Sequence, residues 1–239
     1  MLTIQPDRLD LQPGDRVLDL GCGRGRHVYA LYWGETPVHV VGADLSESEV
    51  HATANGFFEL PPPPESPDRS ASLTAADAAK LPFTDGSFDA VICSEVLEHV
   101  PDPQAALAEI VRVTRPGGQV ALSVPRWWPE KICWSLSPEY SQTPGGHVRI
   151  FRERQLRDAA ERTGLAIDAR HWAHALHSPY WWLQCALWRN RDSSRRVALY
   201  RRFLEWDLLK RPLLTRVLEA LLNPVMGKSL VLYFTRPAA

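Results

Sequence analysis

The sequence predicts an α/β fold, a mostly parallel sheet covered by helices on both faces. Three observations predict it. Short apolar runs of strand length alternate with helical segments through the first 172 residues. Those runs are apolar at nearly every position, not at every second one, as in strands buried on both sides. A chain of 239 residues, 45% hydrophobic and 23% charged, suffices for one large core with an added subdomain. No stretch reaches the roughly 18 uninterrupted apolar residues of a membrane span. The opening MLTIQPDRLD has no basic segment leading into an apolar one, so no secretory signal is expected. Cys22, Cys93, Cys133 and Cys185 lie far apart and make no CxxC pair. Free thiols in a reducing cytoplasm are the expectation.

The elements follow in order. In RVLDLGCGRGRH (16–27), Val17, Leu18 and Leu20 form a short strand that enters a glycine-rich turn, and HVYALYW (27–33) continues as a helix. VHVVGAD (38–44) is a second buried strand ending in an acid. SESEVHATANG (46–56) reads as a helix with Ser46 as N-cap and Glu49 three residues on. PPPPESP (61–67) must be a loop. SLTAAD (72–77) and SFDAVICSE (87–95) are the third and fourth strands, with Asp89 a structural acid at the start of the latter. PQAALAEIVRVT (103–114) is an amphipathic helix stopped by Pro116-Gly117-Gly118, and QVALSVP (119–125) is the fifth strand. FRERQLRDAAERTG (151–164) is a helix closed by Gly164, LAIDARHW (165–172) a sixth strand, and SLVLYFTRP (229–237) a last one. Residues 173–228 read as a helical insert. The expected organisation is therefore a main domain of 1–172 plus 229–239, with 173–228 as insert or lid.

Charge divides the chain. Residues 1–120 hold 8 Lys/Arg against 18 Asp/Glu, and residues 121–239 hold 19 against 10; eight of nine tryptophans follow residue 126. Arg- and Trp-rich stretches at 175–203 fit three roles: a lid over a large apolar substrate, contact with an anionic membrane surface, or nucleic-acid binding. The acidic first half disfavours nucleic acid. The plain alternative is a helical subdomain with tryptophans in its own core and arginines in solvent. RWWPEKICW (126–134) adds aromatics just after the fifth strand and favours the lid.

A strand entering GCGRG and then a helix is an anion- or nucleotide-binding turn. Asp44 falls 19 residues after Gly25, so NAD and another ribose-bearing cofactor both remain open on this motif alone. The ordered set LDLGCGRG, GADLS, ADAAKLPFTDGSFDAVICSEVLEHVPDP and RVTRPGGQVALSVP resembles the class I S-adenosylmethionine-dependent methyltransferases over about residues 14–125. The resemblance implies a Rossmann-like sheet of seven strands, order 3-2-1-4-5-7-6, with the seventh antiparallel. It implies S-adenosylmethionine as cofactor. Asp19, Gly21, Cys22, Gly23 and Gly25 would shape its methionine and ribose pocket, Asp44 and Leu45 would hold the ribose, Asp77 and Ala78 the adenine, and Ser94 the methionine portion. Arg24 departs from the family pattern by adding positive charge. Cys22 and Cys93 read as small buried residues; no neighbouring His activates them.

The stretch EVLEHV (95–100) poses its own question. On a helix, Glu95, Glu98 and His99 share one face, and two carboxylates there repel. The run is similar to the E-x-x-E-H-V-P-D-P of ubiquinone-biosynthesis O-methyltransferases. It is also similar to an E-x-x-E-H run that, with a later His, holds a divalent metal in plant small-RNA 2′-O-methyltransferases. The later His here would be His147. Glu95, Glu98, His99 and His147 are thus candidate ligands for Mg²⁺, Mn²⁺ or Zn²⁺, with His99 and Glu98 catalytic. His99 as a metal-free base, and a purely structural role, stay open. The expected reaction is O-methylation of a lipophilic or glycosylated small molecule by a cytoplasmic, optionally membrane-associated enzyme. The alternatives are metal-independent C- or N-methylation and a non-catalytic cofactor-binding partner.

Overall fold

The computed structural model describes residues 2–59, 61–143 and 145–238. Met1, Leu60, Pro144 and Ala239, which fall inside the expected main domain, lie outside the described residues. The seven strands are β1 (Arg16–Leu20), β2 (His39–Asp44), β3 (Ser70–Ala75), β4 (Phe88–Ser94), β5 (Thr114–Pro125), β6 (Ala166–Ala173) and β7 (Ser229–Thr235). They form one sheet in the order β3-β2-β1-β4-β5-β7-β6. All pairs through β5 are parallel, and β7 runs antiparallel to both β5 and β6. This is the Rossmann-like topology expected.

Helices α1 (Arg26–Tyr32), α2 (Glu47–Gly56), α3 (Pro103–Val113) and α6 (Glu153–Glu161) flank the sheet. Between β5 and α6 lie α4 (Trp127–Leu136) and α5 (Pro138–Ser141), which the sequence reading treats only as an aromatic stretch. The 173–228 segment folds as α7 (His177–Ala186), α8 (Arg195–Lys210) and α9 (Leu213–Met226).

Strand alternation builds two apolar layers. Leu18, Leu20, Val91, Cys93, Leu232 and Phe234 point to one face, where Leu107, Ile110 and Leu156 cover them. Val17, Ile92, Val231 and Tyr233 point to the other, against Ile4, Val28 and Leu31. Burial on both faces is why these strands are apolar at successive positions.

Local signals act as their chemistry requires. Ser46 Oγ accepts from Glu49 N, but Glu49 reaches Arg24 (3.5 Å) in place of closing the box. Asp102 caps α3 by accepting from Gln104 N and Ala105 N, with Pro103 at the first turn. Asp89 accepts from Arg16 N (2.8 Å) and Arg115 Nε (2.5 Å), a structural tie between strands. Several boundaries move: β3 begins and ends two residues earlier than expected, and β5 starts at Thr114, where its register against β4 shifts between Phe88 and Ala90.

Candidate active site

The site grows from the C-terminal ends of the parallel strands. β1 runs into a turn whose glycines Gly21, Gly23 and Gly25 have φ of 71°, 49° and 78°, a region that side chains other than glycine rarely adopt. A Cβ at Gly21 would lie 2.1 Å from Val96 Cγ2, whereas one at Gly23 would meet nothing within 4 Å. The turn is therefore closed against Val96 and open towards a crevice. Asp44, at the end of β2, accepts from Gly23 N (2.8 Å) and Ser46 N (2.9 Å), one bond to each oxygen. Each oxygen keeps capacity for a further donor. Leu45 beside it is 76% exposed.

Asp77 accepts from Ala79 N (2.9 Å) in the turn past β3, with Ala78 buried at its side. Ser94 Oγ lies 2.9 Å from Ser123 Oγ at the end of β4. Arg24 is turned outward on its Glu49 partner, 85% exposed, so its charge does not enter the crevice. Cys22 and Cys93 are buried free thiols, and burial pushes the Cys22 thiol up to about 12, which excludes a nucleophilic thiolate.

Asp19 is the outlier of this group. Its carboxyl is 1% exposed and neither oxygen has a well-formed hydrogen bond. Burial pushes its pKa up to about 7, against the opposing Val28 backbone N–H and Arg26 charge. An orphaned buried acid beside an open glycine turn and a strand-end carboxylate fits a cationic, ribose-bearing cofactor.

The structure corrects the expected helix at 95–100. Glu95 has φ 57°, and the chain turns immediately after β4. A helix here would need amide donors at Pro101 and Pro103, which have none. The Arg149 guanidinium instead collects the carbonyls of Leu97 (2.9 Å), Val100 and Pro101 (2.8 Å). The turn also separates the two carboxylates. Glu95 accepts from Ser123 Oγ (3.2 Å) and faces Lys228 Nζ at 3.7 Å. It stands outside the convergence of candidate ligands, a second correction.

Glu98, His99 and His147 do converge, each offering a ligand atom within 4.8 Å of the others. Glu98 is fully buried, and Oε1 lies 3.9 Å from His99 Nε2 and 4.0 Å from His147 Nε2, too far for hydrogen bonds. Neither Glu98 oxygen has a partner. The far nitrogen of each ring is anchored: His99 Nδ1 on Gly146 O (3.1 Å), His147 Nδ1 on Glu130 Oε1 (2.6 Å). With the protons assigned to Nδ1 by those acceptors, both Nε2 lone pairs face Glu98.

Burial, then the neighbouring Glu95 charge, raises the Glu98 pKa well above the carboxylate range. Burial, then His147, lowers that of His99. Glu130 feels burial against its charge, yet the His147 hydrogen bond and charge hold it below its ordinary value. An oxygen and two oriented nitrogens around one point, each imidazole backed by an oxygen acceptor, fit a divalent-metal site. An unpartnered buried carboxylate otherwise has to be neutral.

Comparison with known proteins agrees with this fold. Residues 18–122 match the family described as "Methyltransferase domain". The domain belongs to the class I S-adenosylmethionine-dependent methyltransferases. The chain is 34% identical over 170 residues to a demethylmenaquinone methyltransferase of Beutenbergia cavernae, covering 67% of this chain and 65% of that one. It is 35% identical over 158 residues to a ubiquinone biosynthesis O-methyltransferase of Aromatoleum aromaticum, covering 64% of each. The fold of a Methanosarcina mazei methyltransferase superposes with a TM-score of 0.65 at 17% identity, covering all of both chains. The chain spans 34 to 65% of the length of the first curated relatives it matches.

Beyond the methyltransferase motifs, a cavity of about 690 Å³ lies between the strand ends and the 173–228 helices. Arg26, Glu95, His147, His177, Trp181 and Lys228 line it, so it joins the first residue of α1 to the ligand cluster. The aromatic residues at 180–188 are half-buried. Trp182 lies tilted against Trp128 (5.6 Å) and donates to Pro129 O (3.0 Å), and Tyr140 contacts Trp181 and Trp188 (6.0 and 5.6 Å). On the far side of the cavity His174, His177 and Glu219 form a second group of converging ligand types.

The sequence reading missed Glu130, Lys228, Arg149, His174 and His177. Glu130 carried a signal, a lone acid inside the aromatic run RWWPEKICW. Lys228 and Arg149 carried none, because their partners are backbone carbonyls and a distant acid.

Proposed function

We propose that the protein transfers a methyl group from S-adenosylmethionine to a hydroxyl oxygen of a lipophilic small molecule bound in the 690 Å³ cavity, assisted by a divalent cation at Glu98, His99 and His147. The observation that carries the metal-assisted reading is the unpartnered, fully buried Glu98 facing two Nε2 atoms whose rings are anchored from behind. A divalent ion in such a set lowers the pKa of a nearby hydroxyl by several units, which an alcohol or phenol acceptor needs at neutral pH. Within the same reading Asp44 takes the ribose hydroxyls, Asp77 the adenine amino group, and Asp19 with the Gly21–Gly25 turn the charged methionine end.

The cavity supports an aromatic or quinone-like acceptor. Trp181 and Tyr180 offer flat apolar faces, and Lys228 and Arg26 add charge to its lining. The demethylmenaquinone and ubiquinone relatives, named for quinone chemistry, support the same class. A second reading, metal-independent C- or N-methylation, is favoured by one observation: His99, held below its ordinary pKa, is an unprotonated base at neutral pH.

One experiment separates the two. Protein loaded with Mg²⁺, Mn²⁺ or Zn²⁺ beside S-adenosylhomocysteine is compared with Glu98→Gln for metal content. Methyl transfer to catechol and hydroquinone acceptors is followed with and without chelator. The expected result is near-stoichiometric metal that Glu98→Gln loses, with activity down about 10- to 100-fold or more. Metal-free protein whose activity ignores chelator overturns the metal-assisted reading and leaves His99 as base.

A further inference from the structure

The last helix of the insert is inside out. On α9, Leu213, Leu214, Val217, Leu218, Leu221 and Val225 are all exposed, from 38 to 74%. At 3.6 residues per turn they occupy roughly 140° of arc. The residues turned inward at 215, 219 and 223 are Thr215, Glu219 and Asn223, which border a second cavity of about 500 Å³ with His174 and Asp207. A helix packed only to finish a soluble core does the reverse. The last turn of α8 adds Leu209, 79% exposed. Among the described residues, ten of the fourteen exposed large apolar side chains fall in 199–225. The aromatics at 180–188, by contrast, are packed against α4 and α5, so the apolar surface lies later in the insert than the 175–203 stretch suggested.

We infer that this α9 face docks the protein on an anionic lipid bilayer, with the leucines at the acyl boundary and the flanking cations on head groups. The charge around the face selects this occupant. Residues 195–226 carry seven Lys/Arg and three Asp/Glu. Arg201, Arg202, Lys210, Arg211 and Arg216 are exposed, whereas Asp207 is buried and Glu219 turned inward; the third acid, Glu205, is exposed and lies 3.7 Å from Arg201. An amphipathic helix with basic flanks is the pattern that lies in an anionic interface. A second copy pairing through the same face would set these cations against their own images. No described helix is long and apolar enough to cross a membrane, so the association is peripheral. Thr215, Glu219 and Asn223 on the inner side of α9 line the second cavity, and Leu208 of α8 lines both, so the docked helix walls the second cavity. The docking stands on α9 alone. Its use, delivery of a lipophilic acceptor from the bilayer, rests on the function proposed above.

Flotation of the full chain with vesicles tests the docking without any activity readout. Phosphatidylcholine vesicles are compared with vesicles containing about one-third phosphatidylglycerol. Leu214→Glu/Leu221→Glu and Lys210→Glu/Arg216→Glu are run beside the wild type, with unfolding curves and S-adenosylhomocysteine binding as controls. The expected result is wild-type flotation with anionic vesicles, reduced about tenfold with neutral ones. Both variants lose about tenfold on anionic vesicles while the controls hold. Failure of the wild type to float, or equal flotation of the leucine variant, overturns the proposal. So does a wild-type dimer that the leucine variant converts to monomer, which would assign the face to a second copy.

Discussion

A carboxyl group that is 1% exposed and lacks a good hydrogen bond must stay neutral or meet a cation. Asp19 does the first in the free protein below neutral pH, with its pKa pushed up to about 7 by burial. A cofactor carrying an ammonium group would do the second. Binding of S-adenosylhomocysteine, which keeps that ammonium, is therefore expected to drive the Asp19 proton off. The release approaches one proton per site near pH ~6 and fades above about pH 8, where the acid is already ionised. Calorimetry in buffers of different ionisation enthalpy reads it directly. Asp19→Asn should bind without the release; equal release from that variant would place the proton elsewhere. Residues of this kind are legible in sequence when their role is set by a local frame. Asp44 and the Gly21–Gly25 turn stand where a strand-turn-helix pattern puts them. Glu130 and Lys228 are defined by partners 17 and 133 positions away, so only the assembled chain pairs them with His147 and Glu95.

At the scale of elements, alternation of apolar strand and helix predicts the strands and their mostly parallel pairing, because burial on both faces leaves a pattern in every segment; their order comes from the family resemblance. At 95–100 the i, i+3, i+4 spacing points to a helix, but the prolines at 101 and 103 deny it two amide donors. What shapes the turn is remote. Arg149, arriving from the segment after α5, gathers three carbonyls of the turn, and Val148 N donates to Glu98 O (3.0 Å). Arg149→Met removes charged hydrogen bonds from carbonyls that no helix satisfies. We expect a loss of about 2–4 kcal/mol, with faster amide exchange centred on 97–101 and on His147. Exchange that rises uniformly across the sheet, or a melting curve that does not move, would show that the turn holds itself. Since His99 and Glu98 sit on this turn and His147 two residues before Arg149, the variant should also weaken any metal binding more than it weakens cofactor binding at β1 and β2.

The whole molecule carries more buried imidazole than its net charge of −1 suggests. Burial lowers His27 to about 3 and His171 and His177 to about 4, and holds His174 well below its ordinary value. An unfolded chain binds these protons first, so acidification from about pH 6.5 towards 4 favours unfolding, by up to about 1.4 kcal/mol per pH unit per histidine. Asp19, Glu98 and Glu219 act with the opposite sign. Burial raises each, so the folded state binds their protons first and gains stability as pH falls. In the free protein the two sets partly cancel and the acid limb is shallow. A ligand that keeps Asp19 ionised removes one opposing group, and the limb should steepen when S-adenosylhomocysteine is bound. Urea midpoints from about pH 7.5 to 4.5, with and without that ligand, read both slopes. His177→Gln isolates the contribution of the insert. His177 and His174 lie where α7 leaves β6, between the sheet and α9, so their protonation loosens the join between the insert and the methyltransferase domain. The variant should flatten the limb by about one proton. If its slope matches the wild type, His177 takes no part and the acid sensitivity belongs to His27, His171 and His174.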